Sequence, residues 1–380
     1  MGHTTRMDHT PLAAALADHL REQGTPEHIS RLFAQVPRHR FLPDLMWGED
    51  RTRYDRTTDP EAWMAAAYSD QPLTTQRDDG TEGGRGIASS SSSAPSVMAR
   101  MLVAAEIEPA HQVLEVGTGT GYNAALLSRM LGGGQVTTVE IDGTLAETAR
   151  SALYTEGHYP TVIVGDGEQV GAGRPNFDRI IATCTVAQIP STWMVQMRGR
   201  GKIVTPWAPT PGAPGGVLAA LDTTGHGVAH GRFEGGLSFM WARGQRWPDQ
   251  PAPRPHALAH QVDQTTTDPR EPFLDGDQAL ILSLLMPSWS YGMRVAPDAE
   301  DPHVWLASTR CSSWARLHAD GRVEQFGARM IATEADNAMR WWQSKGRPAV
   351  SEFGLTVDLD HGIQTVWTHG PEHALWSTHR

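Results

Sequence analysis

The sequence has little cysteine, which limits both its covalent cross-links and its metal chemistry. Only Cys184 and Cys311 occur among 380 residues, far apart and outside any metal-ligand spacing. Two distant cysteines are typical of a protein in a reducing compartment, and they exclude a framework of several disulfides. We therefore predict a fold that depends on its apolar core, with no metal site.

A surplus of basic residues and a long apolar run are also missing. The formal net charge is -11, which leaves no general basic surface to neutralise nucleic-acid phosphates. No window holds roughly eighteen consecutive apolar residues, and residues 1–10 lack the apolar core of a signal peptide. We expect a cytoplasmic protein whose partners are neither nucleic acids nor membranes.

The chain is long enough for two domains, each with its own core. Apolar residues three or four apart predict helices within residues 11–35, and strand patterns then alternate with helix patterns from residue 111 to 205. Such alternation is typical of a mostly parallel sheet covered on both faces. We predict a doubly wound, Rossmann-like α/β domain over residues 1–245, with an N-terminal helical layer and a cofactor core at about 96–210.

Two stretches of the chain have the composition of loops. Residues 77–93 are rich in Asp, Gly and Ser, and their small apolar surface predicts a mobile loop. Residues 246–272 are rich in Pro, Gln, Thr and Asp, and they predict a linker. Residues 273–380 then form a smaller α+β accessory domain in this prediction.

The accessory domain is rich in tryptophan. Large aromatic side chains suit either a small core or a peptide-binding groove. We expect this domain to help recognise a peptide. Its tryptophans are Trp289, Trp305, Trp314, Trp341, Trp342, Trp367 and Trp376.

Three glycines at alternate positions follow the apolar strand that begins the alternating region. Gly117, Gly119 and Gly121 permit the positive φ angles and the close backbone approach that a cofactor at a strand end requires. The pattern lacks the extra residue that a dinucleotide-binding loop has before its third glycine. The spacing therefore favours S-adenosylmethionine, with S-adenosylhomocysteine as the product, over a nicotinamide cofactor.

Acidic residues lie at the carboxyl ends of the next two predicted strands. Glu140 can accept hydrogen bonds from both ribose hydroxyls, and Asp166 can accept one from the adenine amino group. The carboxyl ends of parallel strands share one crevice. The glycine loop, Glu140 and Asp166 therefore all indicate the same cofactor site. The alternative is an ordinary sheet with turn glycines and solvated acids. The predicted cofactor-binding residues are Glu115, Gly117, Thr118, Gly119, Gly121, Tyr122, Asn123, Glu140, Asp166 and Gly167.

Four short segments stand out between residues 36 and 207: 36–43 (VPRHRFLP), 67–73 (AYSDQPL), 93–98 (SAPSVM) and 115–122 (EVGTGTGY). In these segments and in their order, the sequence resembles the protein-L-isoaspartate O-methyltransferase family. The resemblance implies a class I S-adenosylmethionine-dependent carboxyl O-methyltransferase with a peptide substrate.

The chemistry of a carboxylate substrate indicates which residues to consider. A carboxylate is already ionised at neutral pH, so its methylation needs positioning rather than a general base. A serine hydroxyl can donate to one carboxylate oxygen while the other attacks. We assign Ser93 as the catalytic residue and Tyr68, Asp70, Ser91 and Ser92 as substrate-binding residues. The alternative is a flexible serine loop that ends as the N-cap of a helix at Pro95.

The chain continues for well over a hundred residues beyond the family's cofactor domain. This longer architecture, including Trp341, Trp342 and residues 353–357, is similar to methyltransferases that accompany ribosomally made graspetides, lanthipeptides and lasso peptides. That resemblance implies methylation of an aspartate in a macrocyclised precursor peptide, whose ester closes to an aspartimide that persists or hydrolyses to isoaspartate. The alternatives are repair of isoaspartate in damaged proteins and a non-catalytic precursor-binding partner.

Overall fold

The computed structural model describes residues 8–169, 176–246, 259–294 and 302–379. The chain divides into two compact units that are interleaved in sequence. The first comprises Met1–Thr183, Pro190–Val204 and Thr223–His226, and the second comprises Cys184–Ile189, Thr205–Asp222 and Gly227–Arg380. Because the chain passes between the units several times, this division does not coincide with a single boundary near residue 245.

The N-terminal helices form where the apolar spacing predicts them. Helix α1 spans Thr10–Glu22, and α2 spans Glu27–Gln35. Gly24, with φ at 92°, and Pro26, immediately before α2, separate the two helices. The apolar face of α2 is buried, and Phe33 on that face is 0% exposed. The prediction of a helical layer is confirmed.

Residues 45–104 form a small antiparallel sheet and two helices. The elements are β1 (Leu45–Trp47), β2 (Arg53–Asp55), α3 (Pro60–Ala67), β3 (Leu73–Arg77), β4 (Ala88–Ser92) and α4 (Pro95–Ala104). The strand order is β2-β1-β3-β4.

Strand β4 lies within the segment predicted to be a mobile loop, so that prediction was wrong for residues 88–92. Ser92 pairs with Leu73 of β3, and the side chains of Ser90 and Ser92 are buried. Composition alone missed this strand because its inward residues are small and polar. Hydrogen bonds satisfy them, including one that the Ser92 hydroxyl accepts from Arg38 Nε at 3.1 Å.

The strand and helix alternation from residue 113 onward is confirmed. The elements are β5 (Val113–Val116), α5 (Tyr122–Leu131), β6 (Val136–Glu140), α6 (Gly143–Thr155), β7 (Thr161–Val164), β8 (Phe177–Ala182), α7 (Ser191–Gln196) and β9 (Met197–Trp207). Their order is β9-β8-β5-β6-β7, and neighbouring strands are parallel. Strands β5, β6 and β7 therefore end at one edge of the sheet.

Strand β5 carries a carboxylate in its buried interior. Glu115 is 0% exposed and accepts hydrogen bonds from Asn123 Nδ2 at 2.7 Å and from the Thr138 hydroxyl. Burial raises the pKa of Glu115 to about 7, although both hydrogen bonds act in the opposite direction. These contacts connect β5 to α5 and to β6.

The second unit is rich in antiparallel strands. Its elements are β10 (Gly216–Thr223), β11 (Val228–Leu237), β12 (Gln261–Gln264), α8 (Glu271–Leu274), α9 (Gly276–Leu285), β13 (Trp289–Arg294), β14 (His303–Ser308), β15 (Trp314–His318), β16 (Arg322–Phe326), α10 (Ile331–Ser344), β17 (Phe353–Asp358), β18 (Ile363–Thr368) and β19 (Ala374–His379). Across the described ranges, no helix has the length and apolar character needed to cross a membrane.

These strands form two arrays, one in the order β19-β18-β17-β11-β10 and one in the order β12-β16-β15-β14-β13. Strand β12 lies in the predicted linker and pairs with β16, so the linker prediction was wrong at residues 261–264. Residues 247–258 of that linker lie outside the described part of the chain. The fold is thus mixed α/β, with more antiparallel sheet than the doubly wound prediction contained.

The tryptophans of the C-terminal part contribute to its core. Trp289, Trp314 and Trp367 are 0%, 8% and 2% exposed, and Trp289 belongs to the apolar cluster between the five-stranded array and α10. The other four are half-buried: Trp305, Trp341, Trp342 and Trp376.

We predict that Glu115 makes stability depend on pH. The folded pKa of about 7 lies above the ordinary 4.5, so the associated stability is present below pH 4.5 and is lost as the pH rises through 7. Between pH 5 and 8, the unfolding free energy of the native chain should fall by about 2 to 3 kcal/mol relative to Glu115→Gln. Urea denaturation measures this difference. Exposed Glu61→Gln is the control, and a pH-independent difference for Glu115→Gln contradicts the prediction.

Candidate active site

The glycine loop makes a tight left-handed turn between β5 and α5. Gly117, Gly119 and Gly121 have φ angles of 94°, 52° and 86°. A side chain at Gly117 would place its Cβ 2.7 Å from the Thr183 hydroxyl, so this position has no room for one. The loop closes through a 2.8 Å hydrogen bond from the Gly121 amide to the Thr118 carbonyl. The backbone therefore has the geometry that the glycine pattern predicts.

Glu140, the last residue of β6, is attached to this loop. One of its carboxylate oxygens accepts a 2.8 Å hydrogen bond from the Gly119 amide, and the other accepts a 3.1 Å hydrogen bond from the Asp142 amide. Each oxygen retains capacity for a further hydrogen bond. Glu140 thus has a fixed orientation and can still accept hydroxyl donors.

The end of β7 lies beside the end of β6. The Gly165 amide donates to the Glu140 carbonyl at 2.9 Å, and Asp166 Oδ1 accepts from the Glu168 amide at 2.9 Å. A Cβ on Gly167 would overlap Val116, while the Gly167 carbonyl accepts a 2.8 Å hydrogen bond from Trp193 Nε1. The glycine loop, Glu140 and Asp166 therefore come together at one sheet edge.

Other residues predicted to bind the cofactor lie beneath the loop. Both oxygens of Glu115 are occupied by Asn123 and Thr138, and the Thr118 hydroxyl lies 2.6 Å from that of Thr138. Tyr122 is 3% exposed. These contacts indicate that Glu115, Tyr122 and Asn123 support the loop from the core side, and they do not support a direct contact with a cofactor.

Arg38 is a site residue that was not predicted. Its guanidinium is fully buried and donates to the Ser92 hydroxyl and to five backbone carbonyls, at 3.0–3.3 Å. Burial lowers its pKa to about 10, so it stays charged at neutral pH. Its presence in residues 36–43, a segment that carries the family resemblance, was the available signal. The five carbonyls belong to Ala67, Ser69, Gln71, Ser92 and Ser93.

Tyr68 and Asp70, both predicted to bind the substrate, have structural partners. Tyr68 is 5% exposed, and its hydroxyl lies 2.7 Å from His39 Nδ1. Burial lowers the pKa of His39 to about 4, so this ring is neutral at pH 7. Asp70 Oδ1 accepts from the Ser96 amide at 2.9 Å, in the first turn of α4. These contacts do not support direct binding of a substrate by Tyr68.

The three predicted serines differ in their surroundings. Ser92 is 3% exposed and committed to Arg38, so a direct substrate contact is not supported. Ser91 and Ser93 are half-buried, and among the described residues none hydrogen-bonds to the Ser93 hydroxyl. No side chain caps α4, whose N-cap is Ala94, so the alternative role of Ser93 as an N-cap is wrong.

Strand β4 (Ala88–Ser92), which we call the serine strand, lies against the glycine loop, residues 117–121. A Cβ built on Gly119 would be 3.6 Å from both the Ser90 hydroxyl and the Ser91 carbonyl. Arg38 holds the Ser93 carbonyl at 3.0 Å, which restrains the backbone just beyond β4. The strand that directly precedes the predicted catalytic serine therefore packs against the predicted cofactor loop.

Comparisons with known proteins agree with this arrangement. Residues 12–213 match the family model described as Protein-L-isoaspartate(D-aspartate) O-methyltransferase (PCMT). The chain is 32% identical over 206 residues to the Protein-L-isoaspartate O-methyltransferase of Methylorubrum extorquens, covering 54% of this chain and 75% of that protein. It is 35% identical over 182 residues to the enzyme of that name from Methanosarcina mazei, covering 47% of this chain and 63% of that protein.

A solved structure named protein-L-isoaspartate O-methyltransferase has a similar fold. It aligns with a TM-score of 0.52 at 20% identity, covering 92% of this chain and 97% of that structure. The family model matches more than half of the present sequence and includes the glycine loop, the serine strand and Arg38. The chain belongs to the protein-L-isoaspartate(D-aspartate) O-methyltransferase family of S-adenosylmethionine-dependent enzymes.

Proposed function

We propose that this protein methylates the side-chain carboxylate of an aspartyl residue in a macrocyclised, ribosomally made precursor peptide, and that the ester then closes to an aspartimide. The observation that carries the methylation step is the contact between the serine strand and the glycine loop at Gly119. Graspetides are the first substrate class to test, followed by lanthipeptides and lasso peptides.

The strand ends provide groups that suit S-adenosylmethionine, which supplies a methyl group bound to a sulfonium. Glu140 would accept hydrogen bonds from the ribose hydroxyls, because both of its oxygens have remaining acceptor capacity. Asp166 would accept from the adenine amino group through the oxygen that does not bind the Glu168 amide. The positive φ angles of Gly117, Gly119 and Gly121 allow the tight backbone turn that would lie next to the cofactor.

Ser93 would orient the substrate carboxylate. Its hydroxyl donates to one carboxylate oxygen, and the lone pair of the other oxygen attacks the methyl carbon while the carbon–sulfur bond breaks toward sulfur. No general base is needed, because the carboxylate is ionised at neutral pH. Positioning of this kind can lower the barrier by on the order of 7 kcal/mol.

Aspartimide closure follows from the product itself. The backbone nitrogen of the next residue attacks the ester carbonyl, methanol leaves, and a five-membered ring forms within the peptide. A macrocycle that restrains this nitrogen near the ester would speed closure. Hydrolysis of the imide then gives isoaspartate or aspartate. No second active site is needed for these steps.

Isoaspartate repair is the second candidate. The matched family and the relatives from Methylorubrum extorquens and Methanosarcina mazei carry isoaspartate in their names. The present chain extends well beyond the matched residues 12–213, and we assign to this added part a role in peptide recognition. A repair function predicts activity on short, unstructured isoaspartyl peptides, which are too small to contact the part of the chain beyond residue 213 as well.

The direct test is mass spectrometry after incubation with S-adenosylmethionine. Three substrates are compared: a cyclised aspartate-containing precursor, its linear form and a short isoaspartyl peptide. The proposal predicts a gain of about 14 Da on the cyclised precursor, followed by a product about 18 Da lighter than the starting peptide, because methanol leaves after methylation. Methylation of the isoaspartyl peptide alone overturns the proposal in favour of repair.

Two serine variants in the same assay test whether the Ser93 hydroxyl takes part in methylation. Ser93→Ala should lower kcat about 10- to 100-fold without changing S-adenosylhomocysteine affinity, because the hydroxyl acts on the carboxylate. Ser89→Ala, in the same serine run, is the control and should retain full activity. An equal loss in both variants would contradict the role of Ser93.

Arg38 should act as a positioning residue for the serine strand. Arg38→Lys retains the charge but replaces a five-donor fork with three donors, so the six acceptors cannot all be satisfied. We expect kcat to fall about 100-fold with the KM for S-adenosylmethionine little changed. Steady-state kinetics on the folded fraction measures both constants.

Arg40→Lys is the matched control, since Arg40 lies in the same turn and is exposed. It should retain normal constants. If Arg38 were merely structural, Arg38→Lys would lower the melting temperature while kcat per folded molecule stayed normal, and that outcome contradicts the positioning role.

A further inference from the structure

The second unit contains a cavity of about 710 Å³, built entirely from its own residues. Residues of β12, α8, α9, β15, β16 and α10 line it. Cavities of roughly 300–1,000 Å³ are the usual size of ligand pockets in proteins. The active-site residues described above lie in the first unit and do not line this cavity.

The floor of the cavity is apolar. Leu282, Leu317, Val323 and Met339 line it, and all four belong to the buried cluster beneath the five-stranded array. Trp342 also lines the cavity, half-buried and fixed by a 2.9 Å hydrogen bond from its Nε1 to the Pro348 carbonyl. The four floor side chains are 0–6% exposed, so a bulky apolar side chain in the cavity would mainly contact the half-buried Trp342.

The rim of the cavity is acidic. Six of its lining residues are Asp or Glu, and two, Arg340 and Arg347, are Arg. Asp268 pairs with Arg270, which is not a lining residue, and Asp336 pairs with Arg340. Among the described residues, no cation pairs with the other four acids, which are Asp263, Glu271, Asp275 and Asp277. Asp275 is the N-cap of α9 and accepts from the Asp277 and Gln278 amides, so its charge is present in the rim but its oxygens are already hydrogen-bonded.

Trp342 can also receive a cation. The Arg347 guanidinium lies 5.8 Å from the Trp342 ring centroid, and Arg347 lines the cavity as well. An indole face in a cavity that is also lined by acidic side chains attracts lysine and arginine side chains. The cavity therefore combines an apolar floor with an acidic and aromatic rim.

We propose that this cavity binds a segment of the peptide substrate in which a bulky apolar side chain lies beside lysine or arginine. The inference rests on the proposed function, because it takes the occupant from the same peptide that is methylated. Charge complementarity selects the occupant: a basic residue meets the rim acids that make no ion pair, while its apolar neighbour packs against Trp342 and the apolar floor. An acidic or wholly polar segment would lack one of these contributions.

Fluorescence anisotropy with the full chain tests this binding. Three fluorescein-labelled peptides without Asp are compared: a basic and apolar one (GKLFKLKG), an acidic and apolar one (GELFELEG) and a basic and polar one (GKSGKSKG). The first should bind at least about tenfold more tightly than the other two, and its affinity should fall as salt is raised to about 0.5 M. Equal affinities for all three overturn the proposal.

Charge variants on the rim link binding to this cavity. Glu271→Gln with Asp277→Asn should weaken the basic and apolar probe about fivefold, and Glu271→Lys with Asp277→Lys should shift preference toward the acidic and apolar probe. The control is Asp360→Asn with Glu372→Gln, two exposed acids of the same unit outside the cavity. Equal weakening by the rim and control pairs overturns the site.

The failure of this inference and the failure of the proposed function are distinguishable. Probe binding uses peptides that cannot be methylated, whereas the mass-spectrometric assay reports methylation. If the cavity is correctly assigned, the Glu271→Gln and Asp277→Asn pair raises KM for the precursor and leaves kcat and the short isoaspartyl peptide unaffected. An unchanged precursor KM contradicts the assignment even where methylation proceeds.

Discussion

The hydrogen bonds of the buried Arg38 guanidinium hold together the segments that we assign to substrate binding. Removing a cation from water is costly, and the structure compensates Arg38 with one hydroxyl and five carbonyl acceptors. These acceptors come from residues 67–71 and 92–93. Because both segments accept hydrogen bonds from the same guanidinium, Arg38 fixes the position of the serine strand relative to the segment after α3.

The glycine loop is restrained in a comparable way from its other side. Glu140 accepts from the Gly119 amide, and Glu115 accepts from Asn123 and Thr138 below the loop. Thus three buried or nearly buried ionisable groups, Arg38, Glu115 and Glu140, restrain the glycine loop and the serine strand through their hydrogen bonds. Such prior ordering is what a methyl transfer without acid–base catalysis requires.

The sequence predicted the cofactor half of the site better than the substrate half. Strands β5 to β7 and the glycine loop followed from apolar runs and glycine spacing, because these features act locally. Strand β4 did not, since its inward residues are serines whose burial depends on Arg38, more than fifty residues earlier. Tyr68 and Ser92 were assigned to the substrate for the same reason: a sequence shows a hydroxyl but not the partner that occupies it.

The C-terminal part shows the same limit. Its tryptophans suited either a core or a peptide-binding groove, and Trp289, Trp314 and Trp367 pack in the core. The linker composition of residues 246–272 did not reveal β12, because this edge strand is exposed at all four positions and gains its order from pairing with β16. Amino-acid composition indicates how much apolar surface a segment can bury. An edge strand buries little apolar surface, so its composition does not distinguish it from a linker.

The central claim is that the glycine loop and Glu140 form an S-adenosylmethionine site, and calorimetry with S-adenosylhomocysteine tests it most directly. The full chain should bind one equivalent, and Glu140→Gln should weaken binding about tenfold, because one acceptor for the ribose hydroxyls is lost. Exposed Glu147→Gln should bind normally. Absence of binding to the native chain, or equal affinity for Glu140→Gln, would contradict the account and favour a non-catalytic peptide-binding protein.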